Sequence, residues 1–236
     1  MIELFARPPA AARLRLAGEP VLESWNAAGH PDQLRLRTYV DTVAEQVRVN
    51  DWPPQGQYSV ELVVGLADPV PLHHGGRDLD NYLYPLARRL GPHRIAAAFG
   101  RKVRQAGSTI AVGTALPAGE PGTPQLLVRT SVSSASSAWK RAIHDGCLAA
   151  AARPLPPGPV ALRIHFSVSR LRNWSALWKP AIDALGPMLG IPDPARPFRP
   201  DDDRIVDLEL HRLIDDGLGH DVVIRAWWHS AADQPA

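Results

Sequence analysis

The run Arg77-Asp-Leu-Asp-Asn81 carries two carboxylates two residues apart, just ahead of the short apolar segment Tyr82 to Leu90. In an extended chain Asp78 and Asp80 project to the same side. Like charges so placed repel unless a cation lies between them. Mg²⁺, which prefers carboxylate and water ligands, is the usual remedy. A side-chain cap on the following helix accounts for Asp80 or Asn81 but not for Asp78. A second acidic run, Asp201-Asp202-Asp203, leads directly into the alternating stretch Ile205 to Leu210, which reads as a strand.

The elements that must position these acids occur twice. Arg172 to Gly186, RNWSALWKPAIDALG, shares the frame of Arg77 to Gly91, RDLDNYLYPLARRLG, without its first acids. Pro85 aligns with Pro180 at an offset of 180 − 85 = 95, where 8 of the 34 positions from 77 to 110 are identical; chance gives about 2. The strand-like runs Val60 to Leu66 and Val160 to Phe166 flank the two frames, and Leu126 to Thr130 matches Val222 to Ala226 at an offset of 96. Helical patterns precede each first strand, at Leu36 to Val47 and Ala138 to Ala151. We therefore expect an α+β chain of two similar mixed-sheet units, residues 30–132 and 133–230, forming an intramolecular pseudo-dimer. Residues 1–29 are expected as an N-terminal extension and 231–236 as a tail.

Composition narrows the class. Of the 236 residues 45% are hydrophobic, enough for a core, and the net charge of +2 permits an anionic partner without demanding one. The single cysteine, Cys147, allows no internal disulfide, reads as a buried small hydrophobe, and fits a cytoplasmic setting. The N-terminus lacks a signal-peptide pattern, and no apolar run is long enough to span a membrane. No Gly-rich phosphate loop, zinc pattern or dinucleotide fingerprint is present.

The pieces RDLDN, WKPAIDALG and DDDRIVDLEL together resemble the RusA-like Holliday junction resolvases. That resemblance covers roughly residues 34 to 229. It implies an Mg²⁺- or Mn²⁺-dependent endonuclease acting on branched DNA, built as a dimer of such units. It implies Asp78, Asp80 and Asp203 as metal ligands, Asp202 as ligand or base, and Lys179 as the group that stabilises charge on the phosphate. Each unit departs from the pattern. The first has Tyr84 in place of the lysine and Gly107 and Ser108 in place of the second acids; the second has Asn173, Ser175 and Ala176 in place of the first set. If the cluster is completed across the two units, one site survives whole. If it is built within a unit, both are half-built, and the chain is a non-catalytic branched-DNA-binding or scaffold module. Complementary losses favour the composite site. One site gives a nick, so paired cuts would require a further homodimer.

Phosphate contact needs cations. Those expected are Arg77, Arg101, Lys102, Arg104, Arg172, Arg196, Arg199 and Arg204, with the runs 101–104 and 196–204 at equivalent repeat positions. Trp174, Trp178, Trp227 and Trp228 are expected as core or interface anchors rather than base-stacking surfaces, and Asp183 as a surface residue.

Overall fold

The computed structural model describes residues 3–24, 26–73, 75–119, 122–150 and 153–231. Among these residues ten strands and five α-helices follow in chain order: β1 (Leu4–Phe5), β2 (Arg13–Arg15), α1 (Pro31–Gln46), β3 (Tyr58–Leu66), α2 (Leu79–Leu90), β4 (Ile95–Arg104), β5 (Thr109–Thr114), β6 (Pro117–Ala118), β7 (Leu126–Thr130), α3 (Ser137–Ala149), β8 (Val160–Val168), α4 (Trp178–Ile182), α5 (Gly186–Leu189), β9 (Ile205–Ile214) and β10 (Val222–Ser230). The chain is mixed α+β. Eight strands make one mixed sheet in the order β2-β5-β3-β4-β9-β8-β10-β7, and β1 pairs with β6 apart from it.

β3 runs parallel to β4 and antiparallel to β5; β8 runs parallel to β9 and antiparallel to β10. The antiparallel pair β4–β9 closes the centre, with Phe99 opposite Glu209, Ala97 opposite His211 and Arg101 opposite Asp207. Both parallel pairs slip by one residue near their start. Tyr58 lies opposite Ile95 but Ser59 opposite Ala97, and Val160 lies opposite Ile205 but Ala161 opposite Asp207.

The strands alternate as a two-faced sheet requires. Val160, Leu162, Ile164, Phe166 and Val168 join the same core as Leu79, Leu83, Leu86 and Leu90 of α2 and Trp139 and Ile143 of α3. Trp174 and Trp178 are buried there edge to face, 4.8 Å between centroids, as anchors should be. Cys147 is buried in the same core. On the other face lie charged groups. Glu61 of β3, without solvent exposure, pairs with Arg7 at 3.0 Å and Arg13 at 3.1 Å; Arg7 also binds Asp207 and, at 2.9 Å, Glu209 of β9. Arg7 thus bridges both sides of the central seam.

Three sequence expectations change. Leu126–Thr130 and Val222–Ala226, expected at matching places in two units, are antiparallel neighbours at one edge of the sheet. The segment expected as an N-terminal extension contributes to the sheet: β2 forms the opposite edge on β5, and Arg7 sits on the seam. Arg101 and Arg104 stand on β4, whereas Arg196 and Arg199 fall in the longer loop between α5 and β9, so the two basic runs are not equivalent. The tail at 232–236 lies outside the described residues. Among the described residues no helix is long and apolar enough to cross a membrane.

Candidate metal centre

The acids meet where the α2 end of the first half abuts α4 and the segment before β9. Gly76 has φ 71°, a conformation that suits glycine, and this aims its N–H at Asp203 Oδ2, 2.8 Å away; the Arg77 N–H reaches Oδ1 at 3.2 Å. The turn delivers Asp78 to the N-cap position of α2 in an extended conformation, without a side-chain cap bond. Its carboxylate instead accepts from Asn81 Nδ2 at 2.9 Å. Asp80 lies inside the first helical turn, 2% exposed. The extended-strand reading of this pair therefore gives way to a helix N-terminus, and neither Asp80 nor Asn81 is the cap. Such an end favours negative charge. From the other half come Asp202 and Asp203, in a 3₁₀ turn ahead of β9, and Lys179 on α4.

One carboxylate oxygen from each of Asp78, Asp80 and Asp202 lies within 4.8 Å of the others. Lys179 Nζ stands among them, 2.6 Å from Asp202, 3.1 Å from Asp183, 3.8 Å from Asp78 and 4.0 Å from Asp80. Asp183, expected at the surface, is half-buried and shared between Lys179 and Lys140, the latter at 2.6 Å. Its place four residues after Lys179 on one helix face was the available signal.

Asp203 does not join this group. Besides the two backbone N–H bonds, it holds Lys102: Nζ donates to its Oδ1 at 3.0 Å and to its carbonyl at 2.7 Å. The Lys102 side chain has no solvent exposure, so it is no phosphate contact but a cross-strut from β4 to the turn that carries Asp202. Arg204 is likewise turned inward, donating to the carbonyls of Leu189 at 2.7 Å, Gly158 at 2.9 Å and Pro156. Of the other expected cations, Arg104, Arg196 and Arg199 are exposed, and Arg77, Arg101 and Arg172 are partly so. Arg104 contacts Asp68 at 3.4 Å, Arg196 Asp193 at 3.4 Å, and Arg172 the Val132 carbonyl at 3.1 Å.

The electrostatics follow from burial and crowding. Burial, then the charges of Asp202 and Asp78, push Asp80 up to about 7 against the pull of Lys179. Burial and Asp202 raise Asp78 to about 6. Burial pulls Lys179 down, but Asp80, Asp202 and Asp183 outweigh it and hold the ammonium above its ordinary range. Burial also works against ionisation of Asp203, yet Lys102 and the two N–H donors keep it below the usual carboxylate value. Asp80 Oδ2 is buried without a hydrogen bond. A cluster of carboxylates that resists losing its protons, with an unbonded buried oxygen, is chemically suited to a divalent cation. Compared with protein-family models and with curated proteins, the chain matches none.

Proposed function

We propose that the chain is a metal-dependent endonuclease for branched DNA, of the RusA-like kind, with two copies of the unit fused into one chain and a single composite site. The observation that carries this reading is the meeting of Asp78 and Asp80 from one half with Asp202 and Lys179 from the other.

The mirrored sheet supports the fusion. Outward from the β4–β9 seam the order is parallel partner, antiparallel partner, edge strand on both sides, with the same one-residue slip. Lys102 of β4 reaches the Asp203 carbonyl; Arg212, at the matching place on β9, reaches the carbonyls of Pro92 at 3.1 Å and His93 at 2.9 Å. In this frame the first copy starts at β1 and the second at β6. Asp202 and Asp203 then correspond to Pro92 and His93, not to Gly107 and Ser108. The twin position keeps no acid: Asn173, Ser175, Tyr84, Pro92 and His93 stand there.

Asp78, Asp80 and Asp202 would hold Mg²⁺ or Mn²⁺. Their three oxygens lie within 4.8 Å of one another, close enough for one cation to be shared among them. When bound, the cation supplies Lewis-acid stabilisation to phosphoryl oxygens. Lys179, held charged, faces the charge that grows on the phosphate. Asp203 and Lys102 fix the turn and the Gly76–Arg77 backbone. The exposed arginines Arg104, Arg196 and Arg199 offer sequence-independent phosphate contacts.

A second reading has one observation in its favour. Lys179 already neutralises part of the cluster, which a non-catalytic branched-DNA module would need if its acids carried no metal. The test is incubation of the protein with labelled four-way junction, flap and plain duplex in Mg²⁺ and in Mn²⁺. Cutting of branched DNA, lost in Asp80→Asn, supports the nuclease; binding without cutting selects the module.

A further inference from the structure

Two carboxylates lie within hydrogen-bond reach of the Lys179 ammonium, and they draw it in opposite directions. Asp202, at 2.6 Å, belongs to the acid cluster; Asp183, at 3.1 Å, stands outside it. Asp78 and Asp80 are beyond hydrogen-bond range, at 3.8 and 4.0 Å. The ammonium therefore holds the cluster through one short contact, and the Asp80 Oδ2 nearest to it stays buried without a hydrogen bond. Asp183 divides its two oxygens. Oδ2 accepts from Lys140 Nζ at 2.6 Å, and Oδ1 faces Lys179. Lys140 belongs to α3, so it fixes Asp183 whichever way Lys179 turns. Asp183 is also the C-cap of α4, the helix that carries Lys179, and stays beside the lysine whatever the other half contributes.

We propose that Lys179 and the divalent cation exchange places: the ammonium neutralises the acid cluster until a cation binds there, then passes wholly to Asp183. The inference rests on the metal-centre reading for the identity of the ligands. An ammonium and a doubly charged cation on one carboxylate of a half-buried cluster repel strongly. Lys179 is able to leave. Its side chain is 35% exposed, its four-carbon stem is flexible, and its charge is a compact point that needs no fixed plane. A cavity of about 420 Å³, lined by Lys179, Asp183 and Lys140, gives it room. Asp183 receives the charge, so it is not stranded. The same charge thus serves two tasks in turn. It holds the acids together without a cation, and it is released from Asp202 towards the phosphate only once the cation is in place.

The test is calorimetric Mn²⁺ binding to the full chain without DNA, in wild type, Lys179→Met, Lys179→Arg, Asp183→Asn and the Lys179→Met/Asp183→Asn double variant. Lys179→Met removes the competing cation and should bind Mn²⁺ about tenfold tighter. Lys179→Arg keeps the charge, but its planar fork grips carboxylates bidentately and should bind about tenfold weaker than wild type. Asp183→Asn leaves the ammonium no second partner; it should weaken binding about tenfold alone and less than about twofold in the Lys179→Met background. A purely long-range charge effect gives the same Asp183→Asn loss in both backgrounds and no difference between lysine and arginine. Either of those results, or Lys179→Met without tighter binding, overturns the exchange and leaves the metal centre standing. Absence of Mn²⁺ binding in every variant rejects both. If Asp183→Asn does not fold, the comparison of Lys179→Met with Lys179→Arg decides alone.

Discussion

Replacing Lys102 by methionine keeps most of the side-chain volume and removes one charge from a place no solvent reaches. Asp203, with its side chain 13% exposed, is then left with only the N–H groups of Gly76 and Arg77. Removing one member of a buried pair costs about 3–5 kcal/mol, because the survivor stays charged and uncompensated. The partial exposure of Asp203 puts the expected loss near the lower end, about 3 kcal/mol. In a chain of 236 residues that lowers Tm by about 6–12 °C. Urea and thermal unfolding of Lys102→Met, Asp203→Asn and the double variant measure it. The double variant should lose clearly less than the two single losses together, since neither charge remains to be stranded. The pH dependence has a definite sign. Asp203 is held below its ordinary value, so its contribution is present above the unfolded carboxylate pKa and fades as pH falls through the folded one. The gap between wild type and Lys102→Met should therefore close in acid. A loss under about 1 kcal/mol, or strict additivity in the double variant, refutes the strut.

Other outcomes follow from the same geometry. Asp202→Asn should weaken Mn²⁺ binding at least tenfold by calorimetry, while Asp203→Asn should cost stability and leave the metal affinity nearly intact; the opposite ranking would return Asp203 to the ligand set. Asp78 and Asp80, raised to about 6 and about 7, lend stability that is complete below about pH 4 and lost as pH rises through those values. Unfolding without metal should therefore show these groups working against the fold at pH 8, and added Mg²⁺ should stabilise the protein more at pH 8 than at pH 5. Arg7→Met leaves Asp207 with only Arg101 at 3.8 Å, while Glu61 keeps Arg13 and Glu209 keeps Arg163, and should cost about 2–3 kcal/mol. An unchanged urea midpoint would show that the seam does not depend on it.

Much of the frame is visible in the sequence because periodicity is local. Val160 to Val168 alternates, and Leu79, Leu83, Leu86 and Leu90 repeat at helical spacing, so the strand and helix reveal themselves. The pairing of the halves is not local. The α2–β4 connection spans 91–94, but the α5–β9 connection spans 190–204, so a constant offset drifts out of register after Pro92. Arg101 and Arg104 then match loop arginines by coincidence. Burial of a cation is equally invisible: RKVR and DDDR read as surface charge, yet Lys102 and Arg204 are consumed by partners 101 and 15 or more residues away. Asp78, Asp80, Lys179 and Asp202 are legible as a set because residue type survives any shift of register. Which of Asp202 and Asp203 faces Asp78 and Asp80 depends on how a 3₁₀ turn presents two adjacent acids, and Asp203 is turned away by partners distant in sequence: Lys102 and the Gly76 and Arg77 N–H groups.

The most direct test of a single shared site is the product formed from a supercoiled plasmid carrying an extruded cruciform, incubated with the protein at low concentration in Mg²⁺. One composite site predicts nicked circles that accumulate without linear plasmid, and no product from Asp80→Asn or Asp202→Asn, which disable the site from either half. Linear plasmid formed at the same rate as nicked circle, or cutting that survives in one of those two variants, would contradict it.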